Sequence, residues 1–501
     1  MNNYISKRFI FLKKRIKYLF ALLLIAYLIL LIPLEKKEMP VTAGKKQFVW
    51  NRDSLWTSLE KLYAESRKME PGVLAEKIAQ SQSNIKEILN DLRKRKYAPD
   101  DPELIKFESM IFYSAALTGA AGKGYTDFIN LFSELRSLIK MQSREWDLND
   151  LTARQTLYKI IYGGRAALEE LLLQPGKEEK PTLVLGDDEY SETPYSEIMG
   201  IKIHSGDILV SRGGAPTSAL ISRGSDYPGN FSHIALAYVD SKDKKLSLIE
   251  AHIEKGVTVS SIDDYLNDKK LRIMVLRVRN DLPQIANDKM LPHKAALAAF
   301  NRASSMHIAY DFAMNYNDTL NLFCSEVASS AYIKYGVNLW KGLSSISSAG
   351  VAGWLYGFGV RNFITLEPSD LEYDSQLTVV AEWRDPSTLF KDHIDNAIVE
   401  ALLEEADRGA ELTYDWYLLP IARIMKLYSS VLNLFGSVGP VPEGMSPESA
   451  LRHKKLVSIH NDIFSEIEKD AEDFVRTNGY TPPYWRLVEF ARKAIASKSF
   501  F

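Results

Sequence analysis

The 501-residue chain has almost no cysteine: Cys324 stands alone. An internal disulfide is therefore impossible, and zinc sites built on several thiolates are excluded. An excess of charge is missing too, since 62 Lys and Arg face 64 Asp and Glu for a formal net charge of −2. With no long basic stripe outside the N-terminus, the electrostatic footprint of a nucleic-acid binder is absent. There is no internal repeat. Gly213-Gly214 before APTSALISRG has neither P-loop nor dinucleotide spacing, and reads as a loop opening a short helix. Asp263-Asp264 lacks His or Glu at ligand spacing and reads as a solvated turn, so no cofactor or metal is expected. What is present, 46% hydrophobic and 25% charged residues, belongs to a folded chain long enough for about three domains.

One apolar run is long. Tyr18 to Leu34 is seventeen residues without a charge, preceded by Lys7, Arg8, Lys13, Lys14, Arg15 and Lys17. A spanning helix needs about 20 residues with a lower limit near 17, and basic flanks stay cytoplasmic. The run predicts a single-pass anchor in a bacterial inner membrane, with the body periplasmic or extracytoplasmic. A cleaved signal, with Val41 and Ala43 before the cut, is the competing reading; the run exceeds the usual core of such a signal, and Pro33 and the cluster Glu35 to Glu38 intervene.

Composition divides the remainder. Residues 1–44 are the cytoplasmic N-terminus and anchor. Residues 45–173 are helical by their three- and four-residue apolar spacing, as in LAEKIAQSQSNIKEILNDLRKRK and DFINLFSELRSLIKMQ, with Pro99 and Pro102 between. Residues 174–197 are polar and proline-bearing, a linker. From 198 to 385 short β-rich runs follow one another (KIHSGDILVSR, FSHIALAYVD, KLSLIEAHIE, GVTVSSI, LRIMVLRVR), and then two helices. Residues 386–501 are helical again. The fold class is α+β with helical flanks.

The chemistry gathers around the cysteine. In NLFCSEVASSAYIKYG the apolar residues suit the buried face of a helix ending at Gly336, and Asn321 as N-cap would put Cys324 in the first turn. There, backbone N–H groups and the helix dipole favour a thiolate. A lone cysteine is otherwise a small buried apolar residue. His233 shares a strand face with Ala235, Ala237 and Val239, small enough to meet a helix. Glu250 continues the face of Leu246 and Leu248, where a carboxylate is costly unless something pairs with it. A thiol, an imidazole and an orienting carboxylate follow triad logic. Glu326 is expected to sit solvated in the first helical turn. Gly342 to Gly359, GLSSISSAGVAGWLYGFG, reads as a packed loop or a mobile wall.

The ordered set GDILVSR, FSHIALAYV, LIEAHIEKGV, YDF and FCSEVASSAY, with EPSDLEYD downstream, resembles the circularly permuted papain-like hydrolases of the NlpC superfamily, specifically the YiiX/YaeF group. The resemblance covers about residues 198–380. It implies a permuted papain-like domain with a small antiparallel sheet or barrel and a Cys-bearing helix, in which Cys324 is nucleophile, His233 base and Glu250 the orienting residue. His252, on the same strand face as Glu250, is the rival third member. Tyr310 would face the site as an oxyanion donor, beside the backbone N–H of Cys324. The expected activity is cysteine-dependent hydrolysis of an amide or ester in a cell-envelope substrate, a peptidoglycan peptide or lipid-linked acyl group. Acyl transfer and a non-catalytic envelope-ligand binding module are the alternatives. The expected partners are that substrate and the membrane, with no nucleic acid.

Overall fold

The computed structural model describes residues 2–34, 40–50, 53–498 and 500; the cluster at 35–38 and the side chains of residues 2–14 lie outside the description. Helix α1 spans Asn2–Leu30 and stops at a turn before Pro33. Its charge-free portion, Tyr18 to Leu30, rises about 20 Å at 1.5 Å per residue, against the roughly 30 Å of a hydrocarbon core. Among the described residues no helix is long and apolar enough to cross a membrane. The expected single-pass inner-membrane location, with its extracytoplasmic body, is thereby overturned. The uncharged run outlasts the helix, and counting residues without a helix boundary overstated its span.

The first helical flank comprises α2 (Asp53–Ser66), α3 (Pro71–Lys94), α4 (Pro102–Ala121), α5 (Tyr125–Gln142) and α6 (Leu151–Leu173). Asp101 and Asp150 cap α4 and α6 by accepting first-turn N–H groups. Ile85, Leu89, Phe107, Phe128, Leu157 and Ile161 interlock as its core, each contributing about 1.5–3 kcal/mol by burial.

The strands that follow among the described residues are β1 (Leu183–Leu185), β2 (Tyr195–Ile198), β3 (Ile201–His204), β4 (Ile208–Gly213), β5 (His233–Val239), β6 (Leu246–His252), β7 (Gly256–Ser261), β8 (Lys270–Val278), β9 (Ser344–Ser345), β10 (Ile364–Thr365) and β11 (Leu377–Arg384). Seven form an antiparallel sheet in the order β1-β11-β8-β4-β5-β6-β7, while β2–β3 and β9–β10 pair separately. β1 arises from the polar segment 174–197 and covers the β11 edge.

Alternation gives the sheet two apolar faces. Ile234, Leu236, Ile249 and Met274 pack with α10 (Leu291–Ser305) and the Cys-bearing α11 (Cys324–Ile333). The other face, with Ala235, Ala237 and Leu248, lies under Tyr265 of α8 (Ile262–Asn267) and Ile203 of the β2–β3 hairpin. The cysteine helix therefore meets the large-residue face, not the small face that carries His233. Alanines leave too little volume to fill a helix–sheet interface, whereas Ile and Leu fill it.

Helices α7 (Pro216–Arg223), α9 (Pro283–Asn287), α12 (Ala349–Phe358), α13 (Pro386–Asp407), α14 (Leu419–Leu434), α15 (Pro447–Asn478) and α16 (Tyr484–Ser497) complete the chain. The stretch Gly342 to Gly359 is mostly α12, capped by Ser348 and Gly359 and buried against α13, α15 and α16. The helix is core, and Gly342–Ser348 before it is a packed loop that carries β9. α1 adjoins α14, with Tyr27 donating to the Tyr417 carbonyl at 2.7 Å and Arg423 to the Leu30 carbonyl at 2.8 Å.

The helical flank joins the sheet through a buried ionic seam. Arg165 on α6 donates to Glu372 at 3.1 Å and to Glu382 on β11 at 2.8 Å, and Arg136 on α5 pairs with the same Glu382. Glu169, one turn beyond Arg165, takes Arg272 of β8. All six side chains are at least nine-tenths buried.

Candidate active site

The site is built where β5 begins. Gly206 and Asp207 set β4 against the helices: Asp207 accepts from the His204 N–H and from two nitrogens of Arg277 on β8, each at 2.8 Å. Gly206 has φ +104°, and a side chain there would collide with Pro292 and Tyr332. The chain entering β5 is latched by Ser369, whose Oγ accepts from the Phe231 N–H and donates to the Phe231 carbonyl, both at 2.9 Å. Asp370 beside it is paired with Arg154 of α6. Together these contacts fix the residues immediately before His233.

His233 opens β5, and the register Ala235↔Glu250 puts Glu250 diagonally across from it on the same face. Nε2 of His233 lies 2.8 Å from Glu250 Oε2, and Nε2 of His252 lies 3.3 Å from Oε1. One carboxylate thus sits between two imidazoles whose ring centroids are 5.4 Å apart. Burial pushes the Glu250 carboxyl up, but hydrogen bonds from His233 and then His252 outweigh it and hold the group far below the ordinary carboxylate range. Burial lowers the His233 imidazole, partly offset by Glu250. With Nε2 engaged, Nδ1 is the nitrogen left to act as a base. The cluster also brings three ligand atoms within 4.8 Å of one another, donors of the types that zinc accepts.

Cys324 is the first residue of α11, as expected, although the N-cap is Phe323 and not Asn321. Its sulfur lies against the strand backbone on both sides of His233: Sγ is 3.9 Å from the Ser232 carbonyl, and the Ile234 N–H points toward it. No hydrogen bond joins Sγ to the His233 ring among the described residues. Burial pushes the thiol up to about 11, against the pull of Ser325 and the Ile234 N–H. The resting pair is therefore a neutral thiol and a neutral imidazole. Tyr310 adjoins the sulfur closely enough that, after burial, Cys324 is the next influence raising its phenol.

Glu326 corrects an expectation. It is buried, and its carboxyl accepts from the Phe323 N–H at 3.0 Å. Burial raises it to about 8, which leaves it mainly protonated at neutral pH. A carboxyl with a raised folded pKa stabilises most below its unfolded value, and the contribution is lost as pH rises through the folded value. Glu326→Gln should therefore flatten the fall in stability between about pH 4.5 and 8, measured by urea denaturation across that range.

Residues 202–380 match the family model for permuted papain-like amidase enzymes, YaeF/YiiX, the C92 family. This segment is similar to permuted papain-like amidase domains. A comparison with curated proteins returned no match. The amidase domain takes in the sheet from β4 to the first part of β11, the PSDL segment and the α11 cysteine, and the match supports a hydrolase of the cysteine amidase type. Both helical flanks fall outside it. Within the amidase domain, Ser369 and the Ser232 carbonyl went unread in the sequence. The PSDL segment signalled the first; a backbone acceptor leaves no signal.

Proposed function

We propose that the chain hydrolyses an amide or ester through an acyl-enzyme, with Cys324 as nucleophile, His233 as base and Glu250 as the residue that orients the imidazole. The observation carrying this reading is the 2.8 Å His233–Glu250 contact beside a helix-start sulfur that touches the backbone flanking His233. Because thiol and imidazole are both neutral at rest, proton transfer accompanies attack. His233 Nδ1 takes the Sγ proton as sulfur bonds to the carbonyl carbon, and the backbone N–H of Cys324 faces the developing oxyanion. The C–N or C–O bond then breaks, and the imidazolium gives its proton to the leaving amine or alcohol. Water, deprotonated in turn by His233, attacks the thioester; the acid departs and the thiol is restored. Glu250 remains ionised throughout and steadies the imidazolium.

Two experiments test the assignment. His233→Ala should slow alkylation of Cys324 by iodoacetamide at neutral pH at least about tenfold, because the thiol loses its proton acceptor; unchanged labelling removes His233 from the mechanism. Glu250→Gln should cost about 10²–10⁴-fold in kcat/KM, while His252→Ala costs about tenfold or less. The reverse order would make His252 the third member. An acyl adduct trapped on Cys324, read by mass, would identify the acyl group that the substrate carries.

A further inference from the structure

A cavity of about 610 Å³ lies between α2, α6, α13 and α16, within the range of small-molecule sites. Neither Cys324, His233 nor Glu250 lines it. Its walls are aromatic: Trp56 of α2 stacks on Trp485 of α16 at 5.3 Å, and Tyr158 on Tyr162 of α6 at 4.7 Å. Eight carboxylates and only three guanidiniums face it. Each guanidinium is already taken, Arg223 by Glu400 at 2.7 Å, Arg486 by Glu60 at 3.1 Å and Arg492 by Glu404 at 2.6 Å. Glu170, Asp226 and Asp407 have no Lys or Arg partner among the described residues, so the space carries an excess of negative charge. Asp226 and Asp407 are held by serine hydroxyls.

An independent observation gives the ligand its chemistry. Gln174 Oε1 and His393 Nδ1 belong to side chains only 6% exposed, line the cavity and have no hydrogen-bond partner. His393 faces Glu169 through Nε2 at 3.2 Å; with the proton there, its Nδ1 is an acceptor. Gln174 lies one helical turn from Glu170, whose Oε1 is 3.9 Å from His393 Nδ1. Two buried side chains with an unpartnered polar atom thus lie beside one carboxyl group, and unsatisfied acceptors cost free energy until a donor arrives.

We infer that this cavity is a second ligand site, separate from the amidase centre, that binds a protonated primary or secondary amine carrying an apolar or aromatic body. The ammonium N–H groups donate to Glu170, Gln174 and His393, and the body packs between the Trp and Tyr walls, where cation–π attraction adds to apolar burial. A neutral ligand of the same shape gains only the second term.

Calorimetric titration of the full chain with 2-phenylethylamine, tryptamine and octylamine tests this, with 2-phenylethanol as the neutral match for the first. At least one amine should saturate the protein at submillimolar concentration, and the alcohol should bind about tenfold more weakly than phenylethylamine or worse. Glu170→Gln should weaken the amine about tenfold, and Cys324→Ala should leave its affinity unchanged. Should Glu170→Gln fail to fold, Asp407→Asn must still weaken the amine, by reducing the negative field. The inference is overturned if none of the three amines saturates by millimolar concentration, if the alcohol binds equally, or if a folded Glu170→Gln keeps full affinity. Loss of binding in Cys324→Ala would also overturn it by assigning the amine to the amidase centre, whatever the fate of the triad.

Discussion

Replacing Cys324 with alanine should abolish turnover, a loss of at least about 10⁴-fold in kcat, while the melting temperature moves by only a few degrees. The two effects separate because the sulfur supplies the bond-forming electron pair but little packing. Its hydrogen bond to the Ser232 carbonyl is long at 3.9 Å, and the α11 seat is made by Phe323, Val327, Ala328 and Ala331. Alanine retains the Cβ and the backbone N–H at the helix start. The check is steady-state hydrolysis of a model amide or ester beside a thermal melt of the same preparation. A folded Cys324→Ala protein that still turns over would remove the nucleophile and, with it, the acyl-enzyme.

The second large effect concerns stability. Arg165→Met should destabilise the chain by about 3–5 kcal/mol, because Glu372 and Glu382 keep their burial and lose the guanidinium between them. Arg136 and Arg384 still reach Glu382, so the damage falls hardest on Glu372. The pairing holds Glu382 well below the usual carboxylate range despite burial, and such a contribution is present above the unfolded value and lost as pH falls. Denaturation at neutral pH measures the cost. A change under about 1 kcal/mol would mean that the two carboxyls simply take up protons.

Much of the domain was legible because strand alternation and helix periodicity act locally. FSHIALAYVD and KLSLIEAHIE became neighbouring strands, and period two alone put Glu250 and His252 on one face. That both histidines share the carboxylate was not legible, since it depends on cross-strand register. Nor was the face that α11 covers: His233, Ala235 and Ala237 made a plausible seat, but the bulkier Ile234, Leu236 and Ile249 took it. Glu326 misled because first-turn acids are usually solvated, and here Leu322, Phe323 and Val327 bury the turn. The apolar N-terminal run misled because its seventeen uncharged residues continue beyond the end of the helix.

The three residues of β1 have a practical corollary. Leu183–Leu185 pair with Trp383, Glu382 and Ala381 and, with Thr182, Gly186 and Asp187 bonding beside them, screen the outer rim of β11. A recombinant fragment cut at residue 202, where the family match starts, would bare that rim as a ready template for another chain. Such material should self-associate into oligomers, and the shortest well-behaved product begins upstream of Thr182.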